Sequence, residues 1–264
     1  MADTTVQGPV TGVNVGQLRE QVRGRVITAD DEGYDEARAV HNGMFDKRPL
    51  AVLRAEQVAD VIAGVNFAQD NGLDLSVRGG GHSAPGFGTN DDGLVIDMTP
   101  MRTVRVDPGS RTARAGAGAT WGDFNHATHA FGLATTGGII STTGITGLTL
   151  GGGIGYLTRG FGLSIDNLIS ADVVTADGKF VTVSEHENED LFWGLRGGGG
   201  NFGVVTSLEY RLHEVDQVFA GPIFYNLEDA ASLFRMFDEF IRDAPEQFGG
   251  FPAFPFARQI DWAN

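Results

Sequence analysis

Arg78-Gly79-Gly80-Gly81-His82-Ser83 is the stretch on which the reading of this chain turns. Three successive glycines leave the backbone bare and free to bend. Its N–H groups can then converge on an anion, and a flat ligand can lie against the chain. The histidine and hydroxyl that follow stand where they can reach such a ligand. A glycine run by itself is an ordinary turn, so the flanking sequence decides whether this one is more.

Upstream, Val58, Val61, Ile62, Val65 and Ala68 recur at helical spacing, and Gly72 supplies a stop. Residues 73–77 alternate as a short strand that delivers the chain into the glycine loop. Downstream, strands are predicted over 94–98, 103–107 and 111–115, with Pro108-Gly109 turning between the last two. Thr120, with Asp123 three residues on, predicts a capped helix that ends before Gly132. Residues 171–176 and 179–184 flank Asp177-Gly178, a strong hairpin signal. Ser184 and Glu187, then 191–195, predict a short helix running into residues 197–200, and 203–212 alternate as a strand. The pattern is α+β, rich in short strands.

Beyond His213 the character changes. Residues 223–225 read as a strand, Leu227, Ala230, Leu233, Phe234, Phe237, Phe240 and Ile241 mark one amphipathic helix, and 250–256 read as a further strand. Such a set cannot bury its own apolar faces. The expected organisation is therefore an N-terminal segment over 1–47, a main domain over 48–215, and the beginning of an incomplete second domain over 216–264.

At 264 residues, 41% hydrophobic and 20% charged, the composition is that of a globular protein. No apolar run is long enough to span a membrane, and residues 1–10 lack the charged and apolar regions of a secretory signal, so a cytoplasmic location is expected. The absence of cysteine excludes disulfides, thiolate metal sites and cysteine nucleophiles. A net charge of −15 argues against nucleic acid or an anionic membrane as partner. Lysine occurs only at 47 and 179, which suits either a high-salt cytoplasm or a genome that favours arginine; both readings stay open.

Of the 39 glycines, most of the excess over an average composition lies between 79 and 203, in clusters at 79–81, 137–138, 151–155 and 197–203. None is followed by Lys-Ser or Lys-Thr, which excludes a phosphate loop of that type. Neither of the last two sits in a strand–loop–helix unit with dinucleotide-fold spacing.

In order along the chain come residues 78–83, Leu94-Val95-Ile96-Asp97-Met98, 116–122, 141–155, Asp166-Asn167, Asp172-Val173-Val174, 191–196 and 200–206. This series closely resembles the FAD-binding (PCMH-type) domain of the vanillyl-alcohol-oxidase-type flavoproteins, in the berberine-bridge-enzyme-like branch. The resemblance implies two α+β subdomains, followed by the start of an antiparallel-sheet substrate domain. It implies that Gly79, Gly80, Gly81 and Ser83, with Arg78 before them, wrap the FAD pyrophosphate, and that His82 bonds covalently to the flavin 8α-methyl. Gly138, Thr142, Thr143, Gly144, Gly147, Gly151 and Gly152 are implied to pass beside the flavin and ribityl chain. Asn167, Gly203, Val204 and Val205 are implied to lie near the adenosine half. Where the family carries a second, cysteine tether, this chain has Ile140, so at most one covalent link is expected.

The remaining candidates read as structural. His41, His126, His129, His186 and His213 lack metal-ligand spacing, and no metal is expected. Trp121 and Trp193 are assigned to the core, and Glu185, Glu187, Glu189 and Asp190 to a solvated helix start. Tyr156 follows the third glycine cluster, and no catalytic base is nominated. The leading expectation is an FAD-dependent oxidoreductase that transfers hydride from a small alcohol, sugar or amine-type substrate, with reoxidation by dioxygen or another acceptor. One alternative is a flavin-binding module that needs the missing substrate domain or a partner chain, with an unfinished sheet edge that favours self-association. The other is a structural protein whose glycines only make turns.

Overall fold

Two sheets organise the chain, and each forms where β-branched and apolar residues are concentrated. The computed structural model describes residues 12–215 and 217–253. The first sheet draws on the helix α1 (Val15–Gln21), the strand β1 (Arg25–Ile27), the helix α2 (Tyr34–Arg38), the strand β2 (Ala51–Arg54), the helix α3 (Val58–Asp70) and the strands β3 (Leu75–Arg78) and β4 (Leu94–Asp97). Its order is β1-β2-β4-β3, with β2, β4 and β3 parallel and β1 antiparallel at one edge. β4 is buried along its whole length, as a central parallel strand covered on both faces should be. α1 and α3 cover one face, while Tyr34 and Ala37 of α2 cover Ile27, Val52 and Val95 on the other.

α3 follows its sequence pattern: Val61, Val65, Phe67 and Ala68 are buried, and Gly72 takes a left-handed φ of +61° just past the end. Buried Asp60 in its first turn accepts the N–H groups of Arg23 at 2.9 Å, Gly24 at 3.1 Å and Glu56 at 2.9 Å. One carboxylate thereby pins the α1–β1 connection to the start of α3.

The rest of the chain adds the strands β5 (Val104–Asp107), β6 (Thr112–Gly116), β7 (Leu133–Ala134), β8 (Leu168–Val174), β9 (Phe180–Ser184), β10 (Val204–Arg211) and β11 (His213–Glu214), which form the second large sheet and a separate short ribbon. Five of these form an antiparallel sheet in the order β5-β6-β10-β8-β9, and β7 pairs with β11. The helices α4 (Trp121–His129), α5 (Ile145–Leu150), α6 (Thr158–Phe161) and α7 (Glu189–Gly198) lie between these strands in sequence, and α8 (Ala230–Asp243) follows them. Trp121, Phe124 and Tyr210 centre the core with edge-to-face ring contacts. On the opposite face Arg114 bridges β6, β8 and β10 through Asp172 at 2.7 Å, Ser207 at 2.8 Å, Ser170 at 3.0 Å and Glu209 at 3.1 Å. The Thr120–Asp123 capping box starts α4, and Asp177-Gly178 turns β8 into β9.

Several sequence expectations need correction. Ser184 does not start α7: its N–H donates to Glu187 O, and the helix begins at Glu189 after Asn188 takes a φ of +50°. Trp193 is 81% exposed rather than in the core, because Phe192 and Leu195 take the inward face of α7. Among the described residues, 217–253 contain no strand: 223–225 are irregular, and α8 is preceded by a 3₁₀ turn at Leu227–Asp229. The expected strand at 250–256 is irregular over 250–253 and otherwise lies outside the described residues. No helix among the described residues is long and apolar enough to cross a membrane.

At the C-terminal ends of three parallel strands, Arg54, Asp97 and Arg78 stand in one register row. Asp97, 1% exposed, receives Arg78 Nη2 at 2.8 Å and lies 3.4 Å from Arg54 Nε. Removing one partner of a buried ion pair leaves the other charge uncompensated. Asp97→Ala should therefore lower stability by about 3–5 kcal/mol, measured by urea unfolding; a loss below about 1 kcal/mol would show that water solvates Arg78 instead.

Candidate functional site

The glycine loop leaves this charged row directly. Arg78 closes β3, and its guanidinium also donates to Ala39 O at 3.0 Å. That fixes the direction in which residues 79–83 depart. Among the described residues, no protein acceptor meets the N–H groups of Gly79, Gly80, Gly81, His82 or Ser83. Five successive free donors on a bare backbone make a cradle for an anion.

The shape of the cradle is set by a second loop. A Cβ on Gly80 would overlap the backbone nitrogen of Gly144, and a Cβ on Gly144 would overlap that of Gly80. The two chains thus touch backbone to backbone. The second loop is itself anchored to the start of α4: Trp121 N–H donates to Thr143 O at 3.0 Å, Gly122 N–H to Ser141 O at 2.8 Å and Ile145 N–H to Ala119 O at 3.0 Å. Gly81 adopts φ +72°, and Ser83 turns the chain onward by accepting Phe87 N–H at 3.1 Å.

His82 stands at the end of the cradle, half-buried. Its Nε2 lies 3.1 Å from Thr142 Oγ1, and its Nδ1 lies 3.4 Å from Thr143 Oγ1. Two hydroxyls, each able to donate or accept, therefore hold both ring nitrogens. The His41 ring stacks on it at 4.2 Å, nearly parallel. Burial, and secondarily the charge His41 can carry, lowers the His82 pKa, which favours the neutral ring, whose unprotonated nitrogen accepts from one of the two hydroxyls.

The other glycines divide by what a side chain would meet. Gly137 and Gly138 lie against the Trp121 ring, and a Cβ on Gly155 would overlap Gly137 O, so these three serve packing. Gly147 faces open space, Gly151 only touches its own helix, and Gly152 has φ +107°. Gly199 and Gly200 are also open. Gly203, at φ +139°, presses on Val174 O, and with Val204 and Asn201 it borders a groove of about 180 Å³ beside Leu75 and Val77 of β3. A hollow of about 360 Å³ beside α1 shares none of these loops, and its Arg19 is paired with Asp31.

Two of the residues implied to lie at the cofactor have side chains already engaged by protein partners. The Arg78 guanidinium is buried and engaged by Asp97 and Ala39 O, so Arg78 shapes the loop from beneath. Asn167 is buried: both amide hydrogens go to Phe161 O and Leu163 O at 2.9 Å, and Oδ1 meets His213 Nε2 at 2.7 Å. It secures the turn before β8. Gly138 is likewise occupied by packing, while Val204 and Val205 have buried side chains and can offer a ligand only backbone. Tyr156 is exposed and stacks on Phe251 at 6.3 Å. Among the described residues no group of three or more His, Cys, Asp or Glu is arranged to hold a metal.

Among the described residues, a run of five N–H groups without a protein acceptor, a half-buried imidazole at its end and an apolar-edged groove between the two sheets lie together on one side of the fold. They define a flavin-binding domain of two α+β subdomains. The chain belongs to this class: the FAD binding domain family matches residues 49–184, within the PCMH-type, berberine-bridge-enzyme-like flavoproteins. It is 41% identical over 194 residues to (R)-6-hydroxynicotine oxidase of Paenarthrobacter nicotinovorans, covering 74% of this chain and 42% of that protein. The solved structure of 6-hydroxy-D-nicotine oxidase from Arthrobacter nicotinovorans superposes with a TM-score of 0.72 at 41% identity, covering 73% of this chain and 43% of that one. Glucooligosaccharide oxidase from Acremonium strictum gives 0.72 at 34% identity, covering 78% of this chain and 43% of that one. The chain spans about half the length of the curated relatives it matches.

His41 is the site residue that sequence reasoning set aside. The contrast between Gly80 and Gly147 tests the geometry of the loops. Gly80→Ala must force the crossing backbones apart and should cost about 1–3 kcal/mol or more. Gly147→Ala, inside α5 and facing open space, should be neutral or stabilise by up to about 1 kcal/mol. Thermal unfolding of both variants measures this, and equal effects would refute the close crossing.

Proposed function

We propose that this chain holds FAD covalently through His82 and forms the cofactor half of an oxidoreductase. Its substrate is a small alcohol, sugar or amine-type molecule, which loses a hydride and a proton to become a carbonyl or imine. The observation that carries this reading is the His82 ring, fixed by Thr142 and Thr143 at the end of five N–H groups that have no acceptor among the described residues. When bound, FAD supplies an electron-accepting ring that takes a hydride at N5 and is reoxidised by dioxygen or another acceptor.

The protein's own contribution starts with charge. The N–H groups of residues 79–83 can stabilise a pyrophosphate by hydrogen bonding without a cationic side chain, which suits a chain of net charge −15. Thr142 and Thr143 orient the imidazole by its edge. His82 forms the bond through an unprotonated ring nitrogen. With FAD bound, that nitrogen would be the attachment point, and the hydrogen on the ring would be released as the link forms, with dioxygen or another acceptor as the oxidant. The glucooligosaccharide oxidase relative is described with a 6-S-cysteinyl, 8α-N1-histidyl FAD. Here Ile140 stands in the cysteine place and the chain has no cysteine, which leaves one tether.

A second reading, a flavin-binding module that turns over only with further structure, is favoured by α8. Among the described residues it has no buried side chain, and Met236 and Phe240 are 47% and 48% exposed. Turnover of a panel of sugars, secondary alcohols and amines by the purified chain alone supports the enzyme; bound flavin without turnover supports the module.

The tether has a direct test. Wild-type protein should stay yellow after acid precipitation, whereas His82→Ala should bind FAD yet release all of it in acid; acid-stable flavin in the variant would overturn the assignment. Linkage to added FAD should be flat between about pH 7 and about pH 8. Below the His82 pKa, which lies under its ordinary value of 6.5, protonation removes the lone pair. The rate should then fall about tenfold per pH unit, as read by acid-stable flavin fluorescence.

A further inference from the structure

Residues 39–45 run over the outside of the glycine loop, and their attachments are spread along it. Ala39 O accepts Arg78 Nη1 at 3.0 Å, His41 N–H donates to Gly81 O at 3.1 Å, and Asn42 Nδ2 donates to Ala84 O at 2.9 Å. Further on, the Phe45 ring fills the space that a side chain on Gly86 would need. A strap tied at both flanks of residue 41 holds that side chain in one place. What it presents there is an imidazole, face to face with His82 at 4.2 Å and 11° from parallel.

The contacts on His82 are complementary. Thr142 and Thr143 act in the plane of the ring, one at each nitrogen, and fix its rotation within that plane. Neither hydroxyl resists tilting out of the plane. His41, exposed on its own outer side, covers one face of the half-buried His82 ring and supplies that missing restraint. A nucleophile that reacts along its lone-pair axis depends on all of these angles, because small misplacements at a reacting atom are costly in rate.

We propose that His41 is a positioning residue for flavin attachment: its stacked ring sets the tilt of the His82 imidazole and shields one of its faces. The proposal rests on the His82 tether proposed above. It assigns a function to the strap, whose anchors otherwise only tie a loop to a loop.

The experiment compares His41→Ala and His41→Phe with wild type in the full chain. Acid-stable flavin is followed over time, normalised to total bound FAD. His41→Ala should slow linkage about tenfold or more per bound flavin. His41→Phe, which keeps a flat ring but no nitrogen, should restore the rate to within about threefold. A loosened strap alone would weaken FAD binding and would not be rescued by phenylalanine. Linkage at the wild-type rate in His41→Ala overturns the proposal, and so does equal loss in both variants.

Failure of the underlying tether is read separately, as wild-type flavin released by acid. In that event carbethoxylation of His82, mapped by mass spectrometry in flavin-free full chain, decides the question. Modification severalfold faster in His41→Ala than in wild type and His41→Phe supports the shielding contact; equal rates in all three overturn it.

Discussion

The buried row Arg54–Asp97–Arg78 is the constraint on which the site depends. Parallel pairing puts these residues side by side at the ends of β2, β4 and β3, where two positive groups flank one carboxylate nearly removed from water. A buried carboxylate is tolerable only when it is paired and hydrogen-bonded. Asp97 meets that condition through Arg78 and through Thr99 N–H, which donates to Oδ1 at 3.1 Å. The guanidinium of Arg78 is thereby locked, and the next peptide is the first of the glycine loop. A side chain placed like this transmits the rigidity of the sheet to a backbone that has none of its own.

The loop then converts that rigidity into chemistry. Glycine at 80 and 144 lets two backbones cross, which brings Thr142 and Thr143 to the edge of His82. Each element alone is commonplace: a turn, a pair of threonines, a histidine of lowered pKa. Together they hold an imidazole of lowered pKa in a fixed orientation beside N–H groups that have no acceptor among the described residues.

Much of this was legible in the sequence because it is local. The Thr120–Asp123 cap, the Asp177-Gly178 turn and the 58–68 helical spacing each depend on a few neighbouring residues, and each appears in the structure. The glycine loop and its histidine were also visible as a pattern. Arg78 was not readable as a strut, because its partner Asp97 is brought alongside only by parallel pairing. Glycine clusters carry no mark that separates ligand contact from packing: Gly138 looks like Gly147, yet one rests on Trp121 and the other on nothing. Helical spacing identified α7 but not which way it faces, so Trp193 was assigned inward. His41 gave no signal, since nothing in a polar loop 41 residues upstream of His82 announces a stacked ring.

α3 joins two cores. Its apolar residues pack against Leu53 and Ile96 of the first sheet, and the same cluster takes in Val174 and Val204 from the second. Neither sheet can shed that helix without exposing the other's interior. The two sheets are thereby coupled through one helix, so loosening its packing against either would weaken its packing against the other.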